Sequence, residues 1–414
     1  AVGVRPGTED PEEREPKVSA PLSAFVFKTI SDPYVGRISM FKVISGRMKP
    51  DSTVYNASTG TDERVAQLFT LRGKHQEPLT EVVAGDLGAV AKLAHTHSGN
   101  TLCDKSAPIV YDELEAPDRV LAKAIIPRTK GDEDKLMTAL NRLHEEDPAL
   151  LVERNAETHQ TLIWGTGDAH LDIAMDRLSR KYGVEVEEIP LRIPYRETIA
   201  GPGKAIGRHV KQSGGHGQYA VCHLEIEPLQ RGGGFEYVDK IFGGAIPSQF
   251  IPSVEKGIQK TLTEGAVAGY PVVDVKVTLV DGKYHAVDSS DMAFQIAGSM
   301  GFREAVANAG VQLLEPIMDL EVMVPDSHLG DIMGDLNSKR GRIQGTESVG
   351  GGRQLVKAQA PMAEIARYAI DLRSMTGGQG TFRSTFSHYE PVPPHLAEKI
   401  IAEAKAAKEP SKAH

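Results

Sequence analysis

Residues 203–225 read GKAIGRHVKQSGGHGQYAVCHLE. Two runs of strand-favouring residues, 205–210 and 218–226, flank Ser213, Gly214, Gly215, His216 and Gly217, where glycine allows positive backbone angles and close approach to a partner. The pattern predicts a long β-hairpin. No carboxylate occurs between Glu197 and Glu225, whereas Lys204, Arg208 and Lys211 do, so the hairpin is positive in a chain of formal net charge -9. A bare cationic tip is expected, against the plainer expectation of an ordinary hairpin whose glycines only make the turn.

Working outward, residues 193–315 read as one elongated domain. Pro247 and Ser248 open a helix that aligns Ile251, Val254, Ile258 and Leu262, and 271–280 is a strand. Asp281-Gly282 is expected to turn into 284–290, YHAVDSS, from which a helix runs to about Ala309. Asp288, Ser289 and Asp291 suit the start of that helix by capping and by its dipole.

The hairpin domain is bracketed by two copies of one order, strand, helix, strand, strand, helix, strand. Over 118–192 the strands are 120–126, 150–153, 161–164 and 184–188. Leu136, Leu140 and Leu143 form one helical face, and Asp168 is the expected N-cap of the second helix. The order returns over 316–395, with strands 318–324, 354–358 and 381–388 and helical stripes at Leu329, Ile332, Met333, Leu336 and at Ile365, Ala369, Leu372. Both units are ferredoxin-like. Ahead of them, 20–117 alternates short β-rich runs with Gly and Asp turns and predicts a β-barrel. Residues 1–19 are expected to be a disordered lead or linker, starting at a cut end, and 396–414 a C-terminal helix and tail. The fold class is thus multidomain α+β: a β-barrel, two ferredoxin-like α/β sandwiches and an elongated S5-like βαβ domain.

Length and composition exclude several functions. A chain of 414 residues exceeds one core. No apolar run spans a bilayer and no signal peptide is visible, so no membrane partner is expected. Cys103 and Cys222 are the only cysteines, far apart, which points to a reducing cytoplasm and no metal site. A glycine loop ending in Gly-Lys-Ser/Thr is absent, so this stretch should not hydrolyse GTP or ATP and needs no cofactor. His285, Asp288 and Ser290 could suggest a hydrolase, but a triad is defined by geometry, and a loop entering a capped helix explains them better. His209, His216 and His223 recur every seven residues without acidic ligands, so a metal is not expected. Lys339, Arg340 and Arg342, with Arg353 beyond Gly350-Gly351-Gly352, read either as solvated surface or as a phosphate-binding cluster.

Several stretches then occur in a family-like order: Asp32-Pro33-Tyr34-Val35-Gly36-Arg37, 84–90 (AGDLGAV), Glu145-Glu146-Asp147-Pro148, and Pro194-Tyr195-Arg196-Glu197-Thr198. Tyr284 with His285, Val287-Asp288-Ser289-Ser290 and Gly334-Asp335-Leu336-Asn337 follow. Over residues 20–400 the chain closely resembles the part of bacterial elongation factor G that follows its GTPase domain. The resemblance implies a barrel domain II, a ferredoxin-like domain III, an elongated domain IV and a ferredoxin-like domain V. It also implies that domain IV reaches the decoding centre of the small ribosomal subunit, with two tip loops, 213–218 and 283–288, beside transfer and messenger RNA. Ser213, Gly214, Gly215, His216, Gly217, Lys283, His285 and Asp288, with Lys204, Arg208 and Lys211, are the candidate RNA contacts there. Lys339, Arg340 and Arg342 are the candidates on domain V. Two departures, His216 where the family commonly has arginine and 165–170 (GTGDAH) where it has Gly-Met-Gly-Glu-Leu-His, point to a paralogue of the kind found beside the main factor in actinobacteria.

The expected function is a ribosome-binding, monomeric, cytoplasmic portion of a translational GTPase. GTP and magnesium are expected in the intact protein, whose hydrolysis drives translocation or ribosome remodelling through domain movement. A ribosomal protection or recycling factor, and a ribosome-binding module that never hydrolyses anything, are the alternatives.

Overall fold

The computed structural model describes residues 1–32, 35–73, 75–211 and 217–408, in two compact units, Ala1–Leu191 and Arg192–His414. In the first, eight strands make one antiparallel sheet. Their order is Thr61–Val65, Ser52–Asn56, Thr101–Cys103, Ser23–Asp32, Gly36–Ser45, Leu87–Ala91, Leu68–Arg72, His75–Leu79. In a flat sheet the first and seventh of these would lie roughly 29 Å apart at the usual strand spacing. Only Ala66 and Gln67 connect them, a link that reaches at most about 11 Å. The sheet therefore curls back on itself, and Val54 and Val65 from one end share a core with Leu68 from the other.

The lead is not disordered. Val2–Val4 pairs with Pro11–Glu13, Val4 and Val110 exchange backbone hydrogen bonds of 2.8 Å, and Arg14 donates to the Ala107 carbonyl at 2.9 Å. The acidic, proline-rich composition hid a ribbon held by residues about a hundred positions away.

The rest of this unit runs Leu121–Pro127, Glu133–Glu146, Leu151–Arg154, Thr161–Gly165, Asp168–Tyr182, Val186–Ile189. Its strands lie in the order second, third, first, fourth, which is the ferredoxin-like arrangement. The first helix buries Leu136, Ala139, Leu140 and Leu143. Asp168 is not the N-cap of the second; Gly167 is. Its carboxylate instead lies 2.8 Å from the Lys123 ammonium, a charged partner that a backbone amide does not outweigh.

In the second unit the predicted hairpin forms as Gly203–Lys211 and Gln218–Pro228, joined by Val275–Lys283 and, in parallel, by Phe235–Asp239. The helices Ile251–Glu264 and Asp291–Ala309 share one core with alternate strand residues. Ala220, Cys222, Leu224, Ile226, Val275, Val277 and Leu279 meet Val254, Ile258, Phe294 and Ala297 there. A β-carbon on Gly207 would lie 2.0 Å from the Ala297 carbonyl oxygen, so glycine lets the hairpin lie flat against the long helix. The expected helix start at Ser248 is a 3-10 turn, Ser248–Phe250. Asp281-Gly282 is not a turn either. His223 faces Asp281 while Leu224 faces Leu279, so Val280 is an extra residue and the bulged strand continues to Lys283.

The second ferredoxin-like set is Val311–Pro325, Leu329–Ser338, Arg342–Gly350, Arg353–Pro361, the helical turns Met362–Ile365 and Tyr368–Met375, and Thr381–Pro391, followed by the helix Pro394–Lys408. Arg342–Gly350 is almost wholly exposed. It therefore lacks the alternation by which a strand is read from sequence. Val311–Pro325 is shared: its start pairs with Arg196–Ile199 and its remainder with Arg353–Pro361 and Thr381–Pro391.

Candidate nucleic-acid interface

The hairpin closes in register from Gly203 opposite Ile226 to Lys211 opposite Gln218. Ser213, Gly214, Gly215 and His216 lie outside the described residues. From Gly217 onward the two candidate loops are stitched together. The Gly217 amide donates to Asp288 Oδ1 at 3.0 Å, the Tyr219 amide to the Asp288 carbonyl at 2.9 Å, and Ser289 Oγ to the Tyr219 carbonyl at 2.7 Å. Ser289 Oγ also accepts from the His285 amide at 2.9 Å. Behind them Ser290 caps the long helix, its hydroxyl accepting from the Ala293 amide at 3.2 Å, a bond worth about 1 kcal/mol.

His285 Nδ1 accepts from the Val287 and Asp288 amides at 3.3 and 3.2 Å and lies 3.3 Å from Asp288 Oδ2. His285 and Asp288 thus hold the loop's shape. Ser290 is engaged as a helix cap, with no hydrogen bond to His285 among the described residues.

The cations are sorted by the sheet. Arg208 faces Val221, and Val221 faces Lys283, so the two charges share one face on either side of a valine, roughly 10 Å apart. Arg208, Lys211 and Lys283 are exposed, and among the described residues they have no ion pair. Lys204 differs from the expectation. It sits at the far end of the hairpin and pairs across the strands with Glu225 at 2.6 Å.

On the other sheet the expected phosphate-binding cluster is largely neutralised. Arg340 clamps the buried Glu315 through two bonds of 2.6 and 2.8 Å and reaches Glu364 at 2.9 Å. The bonds to Glu315 hold its guanidinium more firmly protonated than usual. Lys339 lies 3.2 Å from both Asp335 and Asp371. Burial alone would lower its pKa, but those two carboxylates outweigh it and raise it. Both side chains therefore serve the fold. Arg342, also paired to Glu390 at 2.8 and 2.7 Å, is the one of the three with a mostly exposed side chain. Sequence proximity grouped the three, but could not show that, apart from Asp335 four residues before Lys339, their counter-charges come from other elements.

Four family models match the chain in succession: elongation factor G domain 2 over 21–105, domain III over 116–189, domain IV over 191–310 and the elongation factor G C-terminus over 312–400. The chain is 50% identical over 401 residues to elongation factor G-like proteins of two Mycobacterium tuberculosis strains, covering 93% of this chain and 56% of theirs. Elongation factor G of Aquifex pyrophilus is 47% identical over 407 residues, 98% of this chain and 58% of that one. A crystal structure from Thermus thermophilus superposes with a TM-score of 0.79 at 39% identity, over 94% of this chain and 58% of that chain. The chain thus spans a little over half the length of the curated relatives it matches.

Proposed function

The chain belongs to the elongation factor G family, and from that premise we propose that it is the ribosome-contacting portion of a translational GTPase. The observation that carries this reading is the stitched tip, where Gly217 and Tyr219 are bonded to Asp288 and Ser289 beside Arg208, Lys211 and Lys283, which have no ion pair among the described residues. Exposed cations beside a bonded strand end suit RNA recognised by shape, in which phosphate contacts position the protein. Its partners are then ribosomal RNA and, at the tip, transfer RNA, met by a cytoplasmic monomer.

The Gly-Lys-Ser/Thr loop that cradles a nucleotide's phosphates is absent from the sequence. We assign the nucleotide to another part of the intact protein, whose hydrolysis this portion would convert into ribosome remodelling.

Co-sedimentation with ribosomes across a salt series tests the reading. Neutralising Arg208, Lys211 and Lys283 together should weaken binding and make the slope of log affinity against log salt shallower by roughly 2, at about 0.7 per lost phosphate contact. An unchanged slope would remove the tip from the interface.

A further inference from the structure

Phe235–Asp239 and Val275–Lys283 run parallel, with Asp239 opposite Leu279. The segment leaving Asp239 therefore heads for the same end of the sheet as Lys283 and the stitched loops. Ile241 and Ile246 turn into the core. Ile246 packs against Gly282, where a β-carbon would lie 2.4 Å from its Cδ1. Between these anchors Phe242 is left 93% exposed. The loop is held: Asp239 Oδ1 accepts from the Ile241 amide at 2.9 Å, the Ala245 amide reaches the Phe242 carbonyl at 3.5 Å, and Gly243 and Gly244 take left-handed φ of 66° and 75°. A fixed loop thus presents a bare aromatic ring that contributes almost nothing to the fold.

The surroundings select its partner. Lys240 is exposed like Arg208, Lys211 and Lys283, and among the described residues none of the four has an ion pair. Of the carboxylates at this end, Asp239, Asp281 and Asp288 each accept a backbone N–H, from Ile241, Gly282 and Gly217, and Asp291 accepts from the Ser253 hydroxyl. Tyr284, 48% exposed, supplies a second ring. Aromatic faces among unpaired cations fit single-stranded RNA, whose bases stack on rings while its phosphates meet the charges. An apolar protein surface would leave four cations unmatched.

We propose that loop 240–245 is a third element of the tip and that Phe242 stacks on an unpaired base of the RNA the tip meets. This rests on the reading of that end as an RNA contact, and no element of the sequence pattern had marked it; a phenylalanine followed by two glycines was the available signal.

The test uses the full chain and two probes of equal length, single-stranded oligoadenylate and the same backbone without bases. Phe242→Ala should weaken oligoadenylate binding by about 5- to 150-fold, the usual contribution of one stacked base, and leave the abasic strand unchanged. Phe242→Tyr should restore oligoadenylate binding. In a Trp164→Phe background Phe242→Trp provides a lone reporter, whose emission should be quenched by oligoadenylate and not by the abasic strand. Equal oligoadenylate affinity for Phe242→Ala and the parent, or equal losses on both probes, or unquenched emission at saturation, would overturn the proposal. Ribosome co-sedimentation separates the two readings. A parent that sediments while Phe242→Ala binds oligoadenylate normally removes only the stacking, and a parent that stacks oligoadenylate without sedimenting removes only the ribosome.

Discussion

Glu197 has no accessible surface, yet its carboxylate accepts the amides of Ala266, Val267, Ala268, Gly269 and Tyr270 at 2.7 to 3.1 Å. One side chain thus closes the whole turn between the helix Ile251–Glu264 and the strand Val275–Lys283. Glu197→Ala would leave five amides, Ala268 buried and the other four half-buried, without their acceptor and should destabilise the second unit by about 3 kcal/mol, given a cost of about 1–3 kcal/mol for a desolvated donor left unsatisfied. Urea unfolding measures this, and amide exchange at 266–270 should accelerate; a loss under about 1 kcal/mol would contradict it. In the sequence Glu197 stood out only within a family-like run, because its partners lie some seventy residues away. The cysteines behave oppositely, being legible from the start as isolated thiols. Burial raises the pKa of Cys103 and pushes Cys222 up to about 12. Neither should react with a thiol reagent near neutral pH until the chain unfolds, and fast labelling of the native protein would show the core to be open.

At the scale of elements, the hairpin strand and the long helix approach so closely that Gly207→Ala would drive a methyl into the Ala297 carbonyl. The expected loss is about 1–3 kcal/mol by overpacking, read as a lower unfolding midpoint, and an unchanged midpoint would mean the helix can shift away at no cost. Domain V's sheet carries a pH dependence. Burial tends to raise the Glu390 pKa, but hydrogen bonds with His388 and Arg342 outweigh it and leave the carboxyl below its ordinary value. A carboxyl lower in the folded than in the unfolded chain stabilises the fold above the unfolded value and loses that contribution as pH falls through the folded one. Acid titration of stability below about pH 4.5 should therefore be flatter in Glu390→Gln than in the parent; parallel curves would assign the acid loss to other groups. Elements with a period were legible: the hairpin, the leucine face at 136–143 and the stripe at Ile332 and Leu336. Arg342–Gly350 and the bulged end of Val275–Lys283 were not. One has no buried face, and the other carries turn residues whose side-chain bond forms inside a strand.

For the whole molecule, a net charge of -9 disfavours RNA at long range, so any contact must come from locally unpaired cations. Ion pairing within the fold decides which cations those are, and pairs such as Arg340 with Glu315 and Glu364 join residues far apart in the sequence, which is why the domain order was legible and the pairing was not. The curled-sheet core and the hairpin-helix core are each built within one unit. The only tryptophan, Trp164, lies in the first unit, its indole donating to Glu153 at 2.9 Å. Trp164 emission should therefore follow the first unit alone, while circular dichroism follows both. Glu197→Ala, which strikes the second unit, should lower the dichroism midpoint in urea and leave the Trp164 transition in place, because substitutions in separately packed regions act independently. Equal shifts in both signals would mean that the units unfold together. In that case tip substitutions would also have to be checked by Trp164 emission before any loss of ribosome binding is assigned to charge.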